Sequence, residues 1–592
     1  MSFLGEIKRR KVFQVAVAYA IAAWLIAQVV DVINEPLNLP GWFDTAVLVS
    51  LGLGFPIAVI LAWIFDVTPE GVVRTPSNDK AAGTKAAAAN PDEDLQPAEK
   101  TAPSPDVLRN SVAVLPLENL SPNPDDAYFA AGIHEEILNY VAKIRDVNVI
   151  ARTSVKRYQD TDKPIGEIAA ELGVGTIMEG SVRYAGERVR VTAQLIDAAT
   201  ENHLWSESYE RDIADVFAIQ ADIAEKIAAA LAAELSVAEK ASLAKLPTTS
   251  PEAYASFLQA MAILQDYGHA VGGRSDLRSR IHHHLDQAIA ADPDFALAYV
   301  RRAHLYASQL NQDPGTLEDY AARHTELESL ALADLETALA IDSSIGAAYG
   351  ALAQIHEFNW RGAEAQEYYG KALSLNPNDP DVLMAYAVFC SITGRRDKAV
   401  ERAKRAITLD PNSVSGHMWL AFVHLQKGDL KAAVDAERGA VALSPTFGLA
   451  TMVLGHMERL NGNFDEALIK TRLAEELLRD DTNPVYDGEL VASYATLGYR
   501  DDAERVFQRM QDAARTRVIP TTAWAIAYLG LGDADQTLRW LTAAADDPEH
   551  YIGFFSLMNM KRNRYGYPLL DEPRFRAVRD RLGFEDVTET GE

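Results

Sequence analysis

The chain has 592 residues, with 56 Lys and Arg against 84 Asp and Glu, a net charge of −28. That acid excess argues against a general nucleic-acid binder, which needs a basic face for phosphates. The single cysteine, Cys390, excludes a disulfide framework and a cysteine-based zinc cluster.

The chain opens on two charge-free apolar runs, Val12–Val30 and Thr45–Phe65. Each matches the ~20 residues a helix needs to cross a bilayer. Pro56 should kink the second run rather than end it, and Trp42 and Trp63 lie near its ends, where aromatic rings favour the interface. Lys8, Arg9, Arg10 and Lys11 precede the first run, Arg74 and Lys80 follow the second, and the loop between has no Lys or Arg. Basic outer flanks predict a two-helix transmembrane hairpin over residues 1–74 with both ends cytoplasmic. The rival reading takes Lys8–Lys11 and the following run as a signal peptide. The second run would then be the only anchor, and the soluble part could lie in the periplasm.

Residues 75–110 are rich in Ala, Pro, Asp and Lys and poor in large apolar side chains, so they read as a disordered linker. Periodicity then changes over residues 111–240. Ser111–Leu117 reads as a strand, Asp125–Ile144 as a helix, Val147–Ala151 as a strand and Ile165–Leu172 as a helix ended by Gly173. Thr176–Val182 and Val189–Ile196 form a predicted hairpin across Ala185–Glu187. In its second strand Val189, Val191, Ala193 and Leu195 alternate with Arg190, Thr192 and Gln194, one buried face and one wet face. Leu204–Tyr209 adds a strand and Val216–Leu235 a closing helix. The alternation predicts a small layered α/β domain.

Within it, SVAVLPLENLSPNPDDAYFAAGIHEEILNYVAKI and the later EGSVRYAGERVRVTAQLIDAATENHLWSESYERDIADVFAIQADIA resemble the TolB-like amino-terminal domain. The opening GEIKRRKVFQVAVAYAIAAWLIAQV and GFPIAVILAWIFDVTPEGVVRT resemble the anchors of the same bacterial group. The resemblance implies a domain set between a membrane anchor and tandem repeats. Related chains often carry a cyclase, kinase or winged-helix domain in front of the anchor. With eleven residues before it, none is expected here.

No catalytic motif stands out. Gly173-Val174-Gly175 and Gly180 fit neither the P-loop nor the dinucleotide pattern, and read as turns. His134-Glu135-Glu136 lacks the second His of HExxH, because position 138 is Leu138. His203 reads as a strand-edge residue. His282, His283 and His284 on a helix point about 100° apart and cannot share a metal. No cofactor, metal or catalytic residue is assigned, and the chain is not expected to be an enzyme.

From residue 248 to 585 the pattern is all-helical. Ser343, Pro377, Pro411 and Pro445 punctuate it every 34 residues, the period of the tetratricopeptide repeat (TPR). Ala365, Ala399, Ala433 and Ala467 keep the period, as do Ala372, Ala406, Ala440 and Ala474, where helices cross closely. Gly394, Gly428 and Gly462 recur in the intervening turns. Between Pro293 and Ser343 the spacing is 50, a 16-residue insertion placed around Asn311–Arg323. Pro251–Asp266 and Ser279–Ala291 form the first pair, two degenerate repeats follow Pro445, and Glu572–Leu582 reads as a capping helix.

By the family's register, one inward position of the solenoid falls at Met384, Met418 and Met452, and the next at Gln354, Val388, Phe422 and His456. Methionine suits a surface that accepts varied apolar partners. A peptide groove on the concave face is one reading, and methionines packed between helices the other. The expected function is a membrane-tethered scaffold that recruits a protein partner through the concave TPR groove. The alternative is a ligand-sensing regulatory subunit working through the α/β domain. Residues 12–30 and 45–65 are the expected bilayer contacts, no nucleic-acid partner is expected, and homo-oligomerisation stays open.

Overall fold

The computed structural model describes residues 110–546, apart from 124–126, 186–187, 213–215, 268–273, 313–319, 360, 480–483 and 517. It also describes 65–68, 71–74 and parts of 573–577. The chain divides into two compact units, Met1–Pro97 and Ala98–Glu592. In the first, β1 (Phe65–Thr68) pairs antiparallel with β2 (Gly71–Arg74), with Phe65 opposite Arg74. Phe65, read as the end of the second apolar run, is therefore a strand residue. Among the described residues no helix is long and apolar enough to cross a membrane. The rest of both apolar runs and the linker up to residue 109 lie outside the described residues.

The second unit starts as an α/β layer. In chain order come β3 (Ser111–Val114), β4 (Glu118–Asn119), α1 (Ala127–Ala142), β5 (Asn148–Val149), α2 (Arg152–Lys156), α3 (Ile165–Leu172), β6 (Thr176–Ala185), β7 (Arg188–Asp197), β8 (His203–Asp212), α4 (Val216–Ala230) and α5 (Val237–Leu243). The sheet order is β5-β3-β6-β7-β8. β5, β3 and β6 run parallel, while β6, β7 and β8 are antiparallel.

Alternation along β3 separates two cores. Val112 and Val114 face α1 and α4, while Ala113 and Leu115 face α2 and α3. The expected elements are present with shifted ends. The strand read over Val147–Ala151 shortens to β5, because Ala151 gives its N–H to Leu409 instead. The helix read to Leu235 ends at Ala230, just before Ala232 takes a left-handed φ of 54°. The loop at 186–187 lies outside the described residues.

The solenoid follows as antiparallel pairs: α6 (Pro251–Tyr267) with α7 (Arg274–Ala291), α8 (Ala296–Gln312) with α9 (Tyr320–Ile341), α10 (Gly346–Phe358) with α11 (Gly362–Leu375) and α12 (Pro380–Ile392) with α13 (Arg396–Leu409). Then come α14 (Val414–Lys427) with α15 (Leu430–Leu443), α16 (Gly448–Leu460) with α17 (Phe464–Leu477), α18 (Pro484–Thr496) with α19 (Arg500–Ala513) and α20 (Thr521–Leu531) with α21 (Ala534–Asp546). The periodic alanines sit where expected: Ala365, Ala399, Ala433 and Ala467 are fully buried. Gly394, Gly428 and Gly462 take φ of 87°, 94° and 86°, which a Cβ would strain. Gly498 and Gly532 repeat this turn at 88° and 79° in the degenerate repeats, after a spacing of 36 from Gly462 to Gly498. Most of the region expected to cap the solenoid, 572–582, lies outside the described residues.

The α/β layer and the first helices of the solenoid share a hydrophobic core. Ile133 and Ile137 of α1 and Ile223 of α4 join Tyr254, Phe257 and Leu258 of α6, Leu285 of α7 and Phe295. Phe217 and Tyr254 rings lie 4.4 Å apart, and the Tyr254 hydroxyl accepts the Gln220 amide at 3.0 Å. At Gly132 a Cβ would come within 2.2 Å of Leu258, so α1 and α6 meet at glycine distance.

Candidate functional site

The punctuating turns do more than stop helices. Three in succession form a ledge that holds the α/β layer. In the first turn Asp342 pairs with Lys245 at 2.6 Å. In the second, the buried Asn378 gives its amide to the carbonyls of Ile144 at 3.0 Å and Val147 at 2.9 Å where α1 runs into β5; the Ile144 carbonyl also accepts the Val147 N–H at 3.2 Å. Arg405 steadies Asn378 by donating to its Oδ1 at 2.8 Å, and also donates to Asn148. In the third, Ser154 donates to Asp410 at 2.5 Å and accepts the Asn412 N–H at 2.8 Å. Ala151 donates to Leu409 at 2.7 Å.

Between this ledge, α1 and the first helices of the repeats lies a cleft of about 1270 Å³. Leu138 and Ile150 line it from the α/β layer, and Val300, Met384, Val388, Trp419 and Phe422 from the solenoid. Its charges are unbalanced. Glu135, Glu136, Asp294, Asp342, Glu357, Asp379, Asp381 and Asp410 stand against Lys143, Arg152, Lys245 and Arg301. Glu135 bridges the two walls, reaching Arg152 at 2.5 Å and Arg301 at 3.4 Å.

Burial tunes several of these groups. Asp379 is pushed up to about 6 by burial and by Asp381, although it accepts the Asp381 and Val382 N–H groups at 3.1 Å as a helix cap. Asp410 is pushed up to about 6 by burial. Burial also raises Glu136 and holds His304, on the solenoid wall, down to about 4.

Glu357 is the clearest case. Burial lifts its carboxyl to about 7, partly offset by the Tyr369 hydroxyl, which donates to it at 2.5 Å. A raised carboxyl binds its proton more tightly when folded. Its contribution to stability is therefore full below the usual value near 4.5 and lost as pH rises through about 7. Glu357→Gln, which keeps the hydrogen bond without the charge, should raise stability by about 3 kcal/mol at pH 8. At pH 4.5 it should leave stability nearly unchanged. Denaturant melts at the two pH values check this, and equal effects at both would contradict it.

The inward residues divide in two. Gln354, Met384, Val388 and Phe422 line the cleft together. Met418, Met452 and His456 do not. Met418 packs beside Ala421, Ala433 and Val434. Met452 belongs to a core with Leu490, Val491 and Tyr494 of the repeat pair α18–α19. His456 is buried, with its ring bonded to Ser493 and 3.6 Å from Glu489. Met418 and Met452 thus pack between successive repeats while Met384 reaches the cleft; at the position four residues on, Gln354, Val388 and Phe422 face the cleft and His456 does not. Val300, Arg301 and His304 were not anticipated. They occupy the Gly350, Ala351 and Gln354 positions shifted by the 50-residue spacing of the inserted repeat, and carrying the register across that insertion finds them.

Among the described residues no cluster of His, Cys, Asp and Glu could hold a metal. Cys390 is buried, and burial pushes its thiol up.

Residues 349–544 match the family described as the cilia and flagella-associated protein 70 middle TPR-like domain. The chain is 37% identical over 190 residues to "Putative adenylate cyclase 3" of Rhizobium meliloti (strain 1021), covering 32% of this chain and 31% of that protein. It is 30% identical over 110 residues to the BBSome complex member BBS4 of Bos taurus, covering 19% and 21%. The chain thus spans less than a third of the length of these relatives. Among solved structures it resembles the PilF protein of Pseudomonas aeruginosa, with 20% identity and a TM-score of 0.29, over 37% of this chain and 90% of that one.

Proposed function

We propose that this protein is a non-catalytic interaction scaffold whose TPR-like solenoid and α/β layer together hold a segment of a partner protein. The single observation that carries this reading is the cleft between them. It joins an apolar floor, including Met384, Val388 and Phe422, to walls with an excess of carboxylates. Such a surface selects a basic segment with apolar anchors. The proposed site is the concave set Gln354, Met384, Val388 and Phe422, extended by Val300, Arg301, His304 and Trp419. Met418, Met452 and His456 support it from behind by packing between repeats.

The scaffold is further proposed to be anchored through residues 12–30 and 45–65 in a bacterial inner membrane with its soluble part cytoplasmic. Two charge-free runs with basic outer flanks support this.

The test uses an amphipathic Lys/Leu peptide as probe. Asp381 is exposed and lines the cleft, so Asp381→Lys alters charge without burying it. It should weaken peptide binding about tenfold while leaving the melting temperature in place. Binding should also weaken as pH falls through about 6, where Asp379 and Asp410 take up protons. Unchanged affinity in the variant would place binding elsewhere.

A further inference from the structure

A second cavity, of about 950 Å³, lies at one end of the sheet and shares Arg152 with the cleft. Its position follows from topology. The chain leaves β3 through α1 on one face to reach β5, then returns through α2 and α3 on the opposite face to β6, on the far side of β3. The connections therefore diverge between β3 and β6, just beyond the carboxyl end of β3. In open α/β sheets a crevice at such a switch point is where ligands bind. The cavity is lined there by Leu115–Asn119 after β3 and by Glu179, Gly180 and Ser181 of β6.

The lining is polar where the rest of the layer is apolar. Thr192 and Gln194, on the face of β7 turned away from the main core, form one wall, and Tyr128 and Tyr158 stand around it. Three cations reach it, and they differ. Arg152 is held by Glu135 at 2.5 Å, and Lys163 by Glu171 at 2.5 Å. Lys156, half-buried at the end of α2, has no carboxylate partner among the described residues. Glu179 is engaged by the Gln194 amide. Glu118 and Asp160 are exposed and would repel a polyanion. The volume lies within the ~300–1,000 Å³ typical of small-molecule sites.

We propose that this switch-point crevice binds a small organic molecule carrying one carboxylate or phosphate on a polar body, with Lys156 as its charge partner. The site shares only Arg152 with the cleft described above, and its failure would leave that reading untouched.

The test is lysine acylation of the full chain, read residue by residue by mass spectrometry. The probes are glycerate and glycerol phosphate, added separately, one arm for each anion. At a tenfold excess over Kd, one of them should slow labelling of Lys156 by about tenfold. Lys240, exposed on α5, should be unaffected. The protecting probe should also raise the melting temperature of the parent chain but not of Lys156→Gln. Slowing at neither lysine, or equal slowing at both, would overturn the proposal. So would a folded Lys156→Gln chain that kept the thermal shift. Should that variant fail to fold, the footprint on the parent decides.

Discussion

Ala433→Glu should lower the stability of the chain by about 3–5 kcal/mol, seen as a large fall in melting temperature. Ala433 is fully buried on α15 and packs with Ala421, Val434, Val453 and Met457, at the crossing of one repeat with the next. A glutamate there must either bury an unpaired charge or push the helices apart, and both are unfavourable. The neighbouring surface gives the control. Ala442 lies near the end of the same helix but is exposed, so Ala442→Glu should change stability by about 0.5 kcal/mol at most. Comparable losses in the two variants would mean that the 34-residue register does not define the core.

The second large effect concerns the ledge. Asn378→Ala should weaken the hold of the α/β layer by about 2–3 kcal/mol. The amide serves the carbonyls of Ile144 and Val147, and its oxygen anchors Arg405. Removing it takes the side-chain donor from the Val147 carbonyl and leaves Arg405 with Asn148 but without the Asn378 oxygen. Hydrogen exchange over residues 144–155 should speed up, while exchange within α16 and α17 should not. A variant with unchanged exchange over 144–155 would show that the shared core at α6 alone positions the layer.

Much of this architecture was legible in the residues. The 34-residue spacing of Ala365, Ala399, Ala433 and Ala467 located the helix crossings, because only a small side chain fits there. Alternation at Val189, Val191, Ala193 and Leu195 located the buried face of β7. Local periodicity says nothing, however, about which surfaces meet over long separations. Asn378, Asp410 and Asn412 read as ordinary turn formers, and their carbonyl and serine partners lie more than 200 residues earlier. Gly132 reads as an unremarkable helix glycine until Leu258 is seen against it. The candidate site was half legible for the same reason. The register separated inward from outward positions, but could not tell that Met452 meets the following repeat while Val388 meets the cleft. Lys156 carried no signal at all, since α2 is a five-residue helix, too short for a periodic pattern.

The most direct measurement of the central claim is photo-crosslinking from the cleft. A benzophenone amino acid is placed at Val388 in one full-length variant and at Phe447, in the exposed turn one repeat beyond the ledge, in another. Crosslinked peptides are then sequenced from whole cells. The scaffold reading predicts that Val388 captures one recurrent partner segment, rich in Lys or Arg with apolar anchors, that Phe447 does not capture it, and that the Asp381→Lys change strongly reduces it. Capture of the same segment from both positions, or from Val388 regardless of Asp381→Lys, would contradict the claim that this acidic, apolar cleft is the binding site.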